Sequence, residues 1–216
     1  MKLLDCILEF IYPTRCAFCH RLTENGEKVC ARCSHELPRR REPVLNIHIP
    51  YVSKTICPFY YENYVRDSLL RYKFEGLRAY AEIYSEFLAK SIDETALSCD
   101  IITWVPLSKK RYRKRGYDQA QLIAENLARR MNVKCEKLIE KTVDNPAQSG
   151  SGNAAKRKAN VKGVYAALKP EYIKGKRILI IDDIVTTGAT ISECAGVLHK
   201  CGAAEIMAGA VAGGKN

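Results

Sequence analysis

The stretch that most constrains the fold of this chain is Arg-Ile-Leu-Ile-Ile-Asp-Asp-Ile-Val-Thr-Thr-Gly-Ala-Thr-Ile, at residues 177–191. Its apolar run predicts a buried strand that ends at two adjacent carboxylates, Asp182 and Asp183, and ligands of open α/β sheets bind at such strand ends. The hydroxyl-rich turn that follows leads into a predicted helix and directs backbone N–H groups at a phosphate. Carboxylates for hydroxyls beside amides for a phosphate suit a ribose 5-phosphate. The alternative is an ordinary strand and helix with surface aspartates.

Beyond residue 50, apolar stretches of strand length alternate with helical ones. This alternation predicts an α/β fold, in which a parallel sheet is flanked by helices and joined by right-handed crossovers. The apolar share of 47% and the charged share of 27% exclude a disordered or collagenous chain. The predicted strands lie near residues 56–61, 100–105, 135–140, 177–181 and 206–211, and the predicted helices near 65–74, 79–96, 117–131 and 190–200.

Two Cys-x-x-Cys pairs in the first part of the chain predict a metal site. They account for four of the ten cysteines in the sequence. Thiolates from two tight turns complete a tetrahedral shell around Zn²⁺, and four protein ligands leave no open position for a substrate. We therefore expect a structural zinc site, with an iron–sulfur cluster or a redox-active pair as the alternatives. The expected zinc ligands are Cys16, Cys19, Cys30 and Cys33.

A boundary between two units is predicted where prolines and basic residues cluster. Residues 34–50 contain three prolines and a run of three arginines, a composition typical of a linker. The sequence therefore predicts a zinc-ribbon module with a short amphipathic N-terminal helix at residues 1–42, followed by an α/β domain at residues 43–216.

The positive charge of the chain is concentrated in its middle. The formal net charge is +11, and residues 101–160 carry 14 basic and 5 acidic side chains, a net +9. Six of the seven residues at 109–115 are basic and are expected to form a loop. Such a loop can bind pyrophosphate through bidentate arginine contacts, or it can bind a nucleic-acid backbone. The alternative is that the basic residues simply form a solvated surface. The candidates are Lys109, Arg111, Arg113 and Arg115, joined by Gln148 and Arg157 from a polar stretch at 141–165 that suits a mobile loop over the substrate.

The N-terminus does not have the pattern of a signal peptide. Asp5 and Glu9 interrupt its apolar residues, and no cleavage site of small residues follows. No apolar run approaches the ~18–20 residues of a membrane-spanning helix. We therefore expect a cytoplasmic protein without a membrane span.

Residues 178–190 resemble the 5-phosphoribosyl-1-pyrophosphate (PRPP) signature of type I phosphoribosyltransferases over its full length. The resemblance implies a five-stranded parallel core and a PRPP ligand bound with Mg²⁺. It also implies that Asp182 and Asp183 are the catalytic acidic pair that contacts the ribose hydroxyls. The residues that it assigns to the 5-phosphate are Val185, Thr186, Thr187, Gly188, Ala189 and Thr190.

Three motifs in one order resemble the ComF family of competence-related proteins over nearly the whole chain. They are the four-cysteine module, the pattern Val-Pro-Leu-x3-Arg-x3-Arg-Gly-Tyr-x-Gln at 105–119, and the pattern Pro-x-Gln-Ser-x7-Arg-x2-Asn at 146–160. The resemblance implies a zinc ribbon fused to a type I phosphoribosyltransferase-like domain. For some members it also implies a role in DNA uptake during natural transformation.

Two functions from different classes follow from these features. In the first, the chain transfers a phosphoribosyl group from PRPP with Mg²⁺, or binds a related ribose 5-phosphate ligand. In the second, it is a single-stranded DNA-binding competence factor or a nucleotide sensor without turnover, acting with proteins of the DNA-uptake machinery. The acidic pair and its turn favour a phosphoribosyl pocket, whereas the basic middle segment suits a nucleic acid equally well.

Overall fold

The computed structural model describes residues 13–23, 26–143 and 163–214, so the predicted N-terminal helix lies outside the described residues. Across these ranges, no helix combines the length and the apolarity needed to cross a lipid bilayer. The helices are α1 (Ala31–Glu36), α2 (Asn63–Phe74), α3 (Tyr80–Glu94), α4 (Lys109–Arg115), α5 (Gln119–Met131), α6 (Pro170–Ile173) and α7 (Ala189–Lys200). The strands are β1 (Thr55–Ile56), β2 (Phe59–Tyr60), β3 (Ile101–Trp104), β4 (Lys134–Cys135), β5 (Ile139–Lys141), β6 (Tyr165–Ala167), β7 (Arg177–Val185) and β8 (Glu205–Gly213).

A parallel sheet with the strand order β1–β8–β7–β3–β4 forms the centre of the described structure. β2 continues the edge position of β1, since both strands pair in parallel with β8. Pro58, which has no backbone N–H to donate, lies between them, so the predicted single strand near 56–61 is two short ones. β5 and β6 form a separate antiparallel pair. The predicted α/β fold with a parallel sheet is confirmed.

The apolar residues of β7 alternate between two covered faces of the sheet. Leu179 and Ile181 pack into the core formed with α2, α3 and α5, whereas Ile178 and Ile180 pack into the core formed with α7. All four side chains are fully buried. Because both faces are covered, the strand needs an unbroken apolar sequence, and polar residues can begin only at its carboxyl end. The sheet therefore places Asp182 and Asp183 at that end.

The basic segment at 109–115 is a helix, α4, and the prediction of a loop there was wrong. Ser108 caps its start, because the side-chain oxygen accepts a hydrogen bond from the backbone N–H of Arg111 at 3.4 Å. Gly116 ends it in the left-handed conformation, with φ of 75°. Lysine and arginine are good helix formers, so the charge density does not oppose a short helix between two such caps.

The segment at 34–50 packs against the sheet, so the prediction of a linker there was wrong. Val44 forms an antiparallel bridge with Ile56, and Leu45 and Ile49 are buried in the core on the α7 side. The guanidinium of Arg40 donates hydrogen bonds to the carbonyls of Gly213 and Gly214 at the end of β8. These contacts tie the segment to the carboxyl edge of the sheet.

The four-cysteine unit shares a core with the α/β domain. Phe18 is fully buried, and its ring meets the rings of Phe59, Tyr84 and Phe87 edge to face, with centroids 5.6, 6.2 and 5.8 Å away. Cys16 and Cys33 belong to the same cluster of buried residues. The predicted division after residue 42 stays a prediction, but the packing shows that the two units are joined by an apolar interface.

Candidate functional site

A cleft of about 330 Å³ opens at the carboxyl ends of β3 and β7. Its wall combines the end of β7 and the turn into α7 with residues of α2, α4, α5 and the β5–β6 pair. Neighbouring parallel strands of an open sheet create this position for a ligand. The charged residues that line the cleft are Lys73, Arg111, Arg115, Asp118, Lys141, Asp182 and Asp183.

Asp182 and Asp183 are partly buried residues of β7 that directly follow Ile181, the last residue of this strand paired with β3. A side-chain oxygen of Asp182 accepts a hydrogen bond from the backbone N–H of Asp183 at 2.8 Å. Burial of the Asp182 carboxyl, and then the nearby charge of Asp183, raise its pKa from 3.8 to about 8, while Lys73 acts in the opposite direction. The pair can accept hydrogen bonds from ligand hydroxyls, and its oxygens are the donor type that Mg²⁺ prefers.

Lys73 is a cleft residue that no sequence pattern indicated. It comes from the last turn of α2, and its Nζ atom lies 2.9 Å from Oδ2 of Asp183. Both side chains are largely withdrawn from water, with exposed fractions of 19% and 13%. A lysine within an amphipathic helix gives no local signal, because only the packing of α2 brings it to the end of β7.

The turn from β7 into α7 follows the acidic pair in the chain and lines the same cleft. Gly188 has φ of +71°, and a Cβ atom there would lie only 2.5 Å from the buried side chain of Ile49. α7 begins at Ala189, so the first backbone N–H groups of the helix have no partner within it and point out of its N-terminus. Thr186 and Thr187 are exposed, whereas Val185 is buried. All six predicted phosphate residues line the cleft.

The predicted basic residues lie on two different faces of α4. Arg111 and Arg115, one helical turn apart, line the cleft. Arg115 donates a hydrogen bond to the side chain of Gln119 at 2.8 Å, and burial lowers its pKa. Lys109 and Arg113 are exposed and do not line the cleft.

Asp118 is a second acidic cleft residue that was not among the predicted ones. One carboxyl oxygen caps α5 by accepting from the N–H of Gln121 at 3.3 Å, and the other accepts from the N–H of Leu107 at 2.7 Å. Burial raises its pKa to about 6, although these backbone hydrogen bonds act against the shift. An aspartate directly before an amphipathic pattern is a helix-capping signal that the sequence does contain.

The predicted mobile loop at 141–165 meets the cleft at its two ends. Lys141, at the end of β5, and Tyr165, at the start of β6, both line it. Gln148 and Arg157 lie outside the described residues.

The side chains that line the cleft have a net positive charge. If every acidic and basic group is charged, four are positive and three are negative, a net charge of +1. If Asp182 is protonated, as its raised pKa favours at neutral pH, the net charge is +2. The cleft therefore favours an anionic ligand.

The four predicted zinc ligands meet at one point, with all sulfur atoms within 4.8 Å of one another. Cys19 Sγ and Cys30 Sγ are 3.7 Å apart, close to the ~3.8 Å edge of a tetrahedron with Zn–S bonds of ~2.3 Å. The N–H groups of Cys30 and Cys33 point at Cys16 Sγ and Cys30 Sγ at 3.5 Å. Burial opposes ionisation of Cys16, but such backbone hydrogen bonds lower its pKa to about 7. The donor set fits a structural Zn²⁺ ion.

Each of the two parts of the chain matches a known domain family. Residues 118–216 match the phosphoribosyl transferase domain, and residues 7–44 match the double zinc ribbon domain.

The relatives of the chain carry names from DNA handling and competence. It is 25% identical over 206 residues to the DNA utilization protein YhgH of Escherichia coli (strain K12), covering 89% of this chain and 87% of the relative. It is 27% identical over 196 residues to Competence protein F of Haemophilus influenzae, covering 89% and 81%. It is 30% identical over 148 residues to Competence protein ComFC of Streptococcus pneumoniae, covering 68% and 63%. Over most of its length, the chain is similar to proteins of the ComF family.

Part of the cleft lies outside both matched domains. The two matches leave residues 45–117 uncovered, and this interval contains Lys73, Arg111 and Arg115.

Among solved structures, glutamine PRPP amidotransferase from B. subtilis aligns with this chain. The alignment covers 61% of this chain and 26% of that protein, at 20% identity and a TM-score of 0.41.

Proposed function

We propose that the cleft binds PRPP, or a related ribose 5-phosphate ligand, together with Mg²⁺. One observation carries the proposal: the acidic pair Asp182–Asp183, the turn at 186–190 and two arginines of α4 all line one cleft of about 330 Å³. Each group matches a different part of the ligand. A site for a simple anion does not require the acidic pair.

The roles follow from the chemistry of each group. Asp182 and Asp183 accept hydrogen bonds from the two ribose hydroxyls, and the N–H groups at the start of α7 hold the 5-phosphate. Arg111 and Arg115 contact the pyrophosphate oxygens in pairs. Mg²⁺, when bound, supplies positive charge to the pyrophosphate. If a phosphoribosyl group is transferred, these residues stabilise the departing pyrophosphate as positive charge develops on the ribose ring.

Calorimetric titration with PRPP and Mg²⁺ tests this proposal. Exchanging both Asp182 and Asp183 for Asn removes two charge-assisted acceptors, each worth roughly 1.5–3 kcal/mol. We expect PRPP affinity to fall on the order of ten- to a thousandfold, whereas binding of inorganic phosphate persists. The matched control, Asp67→Asn with Asp93→Asn, removes two exposed charges and leaves PRPP affinity unchanged. Equal PRPP affinity of the wild type and the cleft variant refutes the proposal.

A second function, contact with single-stranded DNA, is favoured by the outer face of α4. Lys109, Lys110, Arg113 and Lys114 are exposed there, and Tyr112 among them has an exposed fraction of 49%. Basic residues around an exposed ring are a typical surface for a nucleic-acid strand, because the cations track phosphates and the ring stacks on a base. The names of the relatives, which refer to DNA utilization and competence, agree with a role in DNA uptake or handling.

The two faces of α4 can be tested separately. Replacing Lys109 and Arg113 with Ala should weaken binding of a single-stranded oligonucleotide and make its salt dependence shallower by about 0.7 per lost phosphate contact, with PRPP affinity unchanged. Replacing Arg111 and Arg115 should weaken PRPP binding instead. Oligonucleotide binding that is the same in the outer-face variant and the wild type contradicts this second function.

A further inference from the structure

α2 contacts the zinc site at one side. We call Cys16-Ala17-Phe18-Cys19 the zinc knuckle. The hydroxyl of Ser68, on α2, donates a hydrogen bond to the carbonyl of Ala17 at 2.6 Å, and Arg71 donates from its guanidinium to the carbonyl of Phe18. Ser68 is fully buried, so this contact is sheltered from water. The knuckle therefore holds α2 by its own backbone.

The last turn of the same helix reaches the cleft. Lys73 pairs with Asp183 at 2.9 Å, and the Tyr72 hydroxyl donates to the backbone carbonyl of Gln119 at 2.9 Å. Gln119 lines the cleft beside Arg115. The hydroxyl of Tyr117 donates in turn to the carbonyl of Tyr72. The end of α2 is thus fixed to the wall of the cleft.

Only a short rigid element separates these two sets of contacts. Ser68 and Lys73 are five residues apart, which corresponds to about 7.5 Å along a helix axis. A helix transmits a displacement along its axis because its hydrogen-bonded turns do not stretch independently. A shift of the knuckle therefore moves Lys73 relative to β7, which is anchored separately in the sheet by β3 and β8.

We propose that Lys73 is a ligand-positioning residue of the cleft and that the zinc knuckle holds it in place, so that Zn²⁺ and PRPP each strengthen the binding of the other. This inference rests on the proposed binding of PRPP. The ammonium group acts through Asp183: it fixes the carboxylate and offsets the repulsion between the two acids. The zinc ribbon then contributes to ligand binding by positioning Lys73, although none of its described side chains lines the cleft.

The first test is the charge of Lys73. Lys73→Met should lower PRPP affinity, measured with Mg²⁺ in excess, by about 10- to 100-fold, because Asp183 loses its buried partner. Lys73→Arg, which keeps the charge, should recover most of the affinity. The matched control is Lys90→Met, since Lys90 also forms an ion pair of 2.9 Å, with Glu86, but on the exposed face of α3. PRPP affinity of the control should equal that of the wild type.

The second test is the coupling to zinc. PRPP with Mg²⁺ should slow the release of zinc from the wild-type protein to a zinc-selective chromogenic chelator, because coupling between two binding sites is reciprocal. Ser68→Ala removes the bond to the knuckle, together with a bond to the Tyr84 hydroxyl, while leaving all four cysteines and every cleft residue in place, and it should reduce this protection several-fold. Ser85→Ala is the control: it also removes a buried hydroxyl with two partners, the Glu82 carbonyl and the Arg130 guanidinium, neither of them in the knuckle or the cleft, and should keep the protection.

The outcomes separate the inference from the proposed function. A wild type that does not bind PRPP overturns both. Binding by the wild type with the same affinity in Lys73→Met overturns the role of Lys73 and leaves the proposed function standing. Zinc release that PRPP does not change, or changes equally in Ser68→Ala and the wild type, overturns the coupling. If Lys73→Met does not fold, Lys73→Gln, which also removes the charge but keeps a polar side chain, takes its place and is compared with Lys90→Gln.

Discussion

The raised pKa of Asp182 predicts how ligand affinity depends on pH. Burial of its carboxyl, and then the charge of Asp183, raise this pKa to about 8. At pH 7 only about one molecule in ten therefore carries the ionised form. If PRPP and Mg²⁺ require that form, affinity at pH 7 is about tenfold below its value at high pH, and at pH 6 about a hundredfold below. The sign is fixed, since a ligand that selects the ionised carboxyl releases a proton and binds better as pH rises.

Calorimetry in buffers of different ionisation enthalpy measures this proton directly. Between pH 7 and 8 we expect the wild type to release up to about one proton on binding PRPP, and Asp182→Asn to release less and to show a flatter pH profile. The window lies above the range in which Asp118 titrates, near pH 6, and above the second ionisation of a phosphate, also near ~6. Affinity that is constant from pH 6 to 9, or an identical profile in Asp182→Asn, refutes the reasoning.

Two further predictions concern the residues that support the cleft. Phe18→Ala should lower the free energy of unfolding by about 3–5 kcal/mol in a denaturant titration, because a fully buried ring is lost from the shared core, whereas Leu22→Ala, at an exposed site, should change it little. Gly188→Ala should weaken phosphate binding at least about tenfold, because the new methyl group would collide with Ile49; Gly175→Ala, with the same φ of +71° and nothing within 4 Å, controls for backbone strain. Equal phosphate affinities in the two glycine variants contradict the second prediction.

Local sequence signals predicted the parts of the site that belong to one element. The apolar run before Asp182 is long enough for one buried strand, and a strand that is covered on both faces can turn polar only at its end. The four cysteines were found in the same way, because each Cys-x-x-Cys pair is a single turn. In both cases the residues that act together are also close in the sequence.

The two errors have one cause, which is that composition was given more weight than capping and packing. At 109–115 the density of charge suggested a loop, although Ser108 before it and Gly116 after it are the residues that begin and end a helix. At 34–50 the prolines suggested a linker, although apolar residues such as Leu45 and Ile49 are interspersed among them and are buried. An apolar residue repeated within a proline-rich stretch indicates an extended segment that packs on a neighbouring surface.

The charge of the cleft is a property of the tertiary structure, and this explains why Lys73 escaped prediction. Asp182 and Asp183 alone would make the end of β7 acidic, a poor surface for a polyphosphate. The cations that reverse this sign come from α2, α4 and β5, which are distant from β7 in the chain and from one another. Their spacing in the sequence has no periodic relation to the acidic pair, since it is set by how helices pack on the sheet. The PRPP-like signature and the arginines Arg111 and Arg115 can therefore be predicted from the sequence, whereas the position of Lys73 beside them becomes visible only when α2 is packed on the sheet.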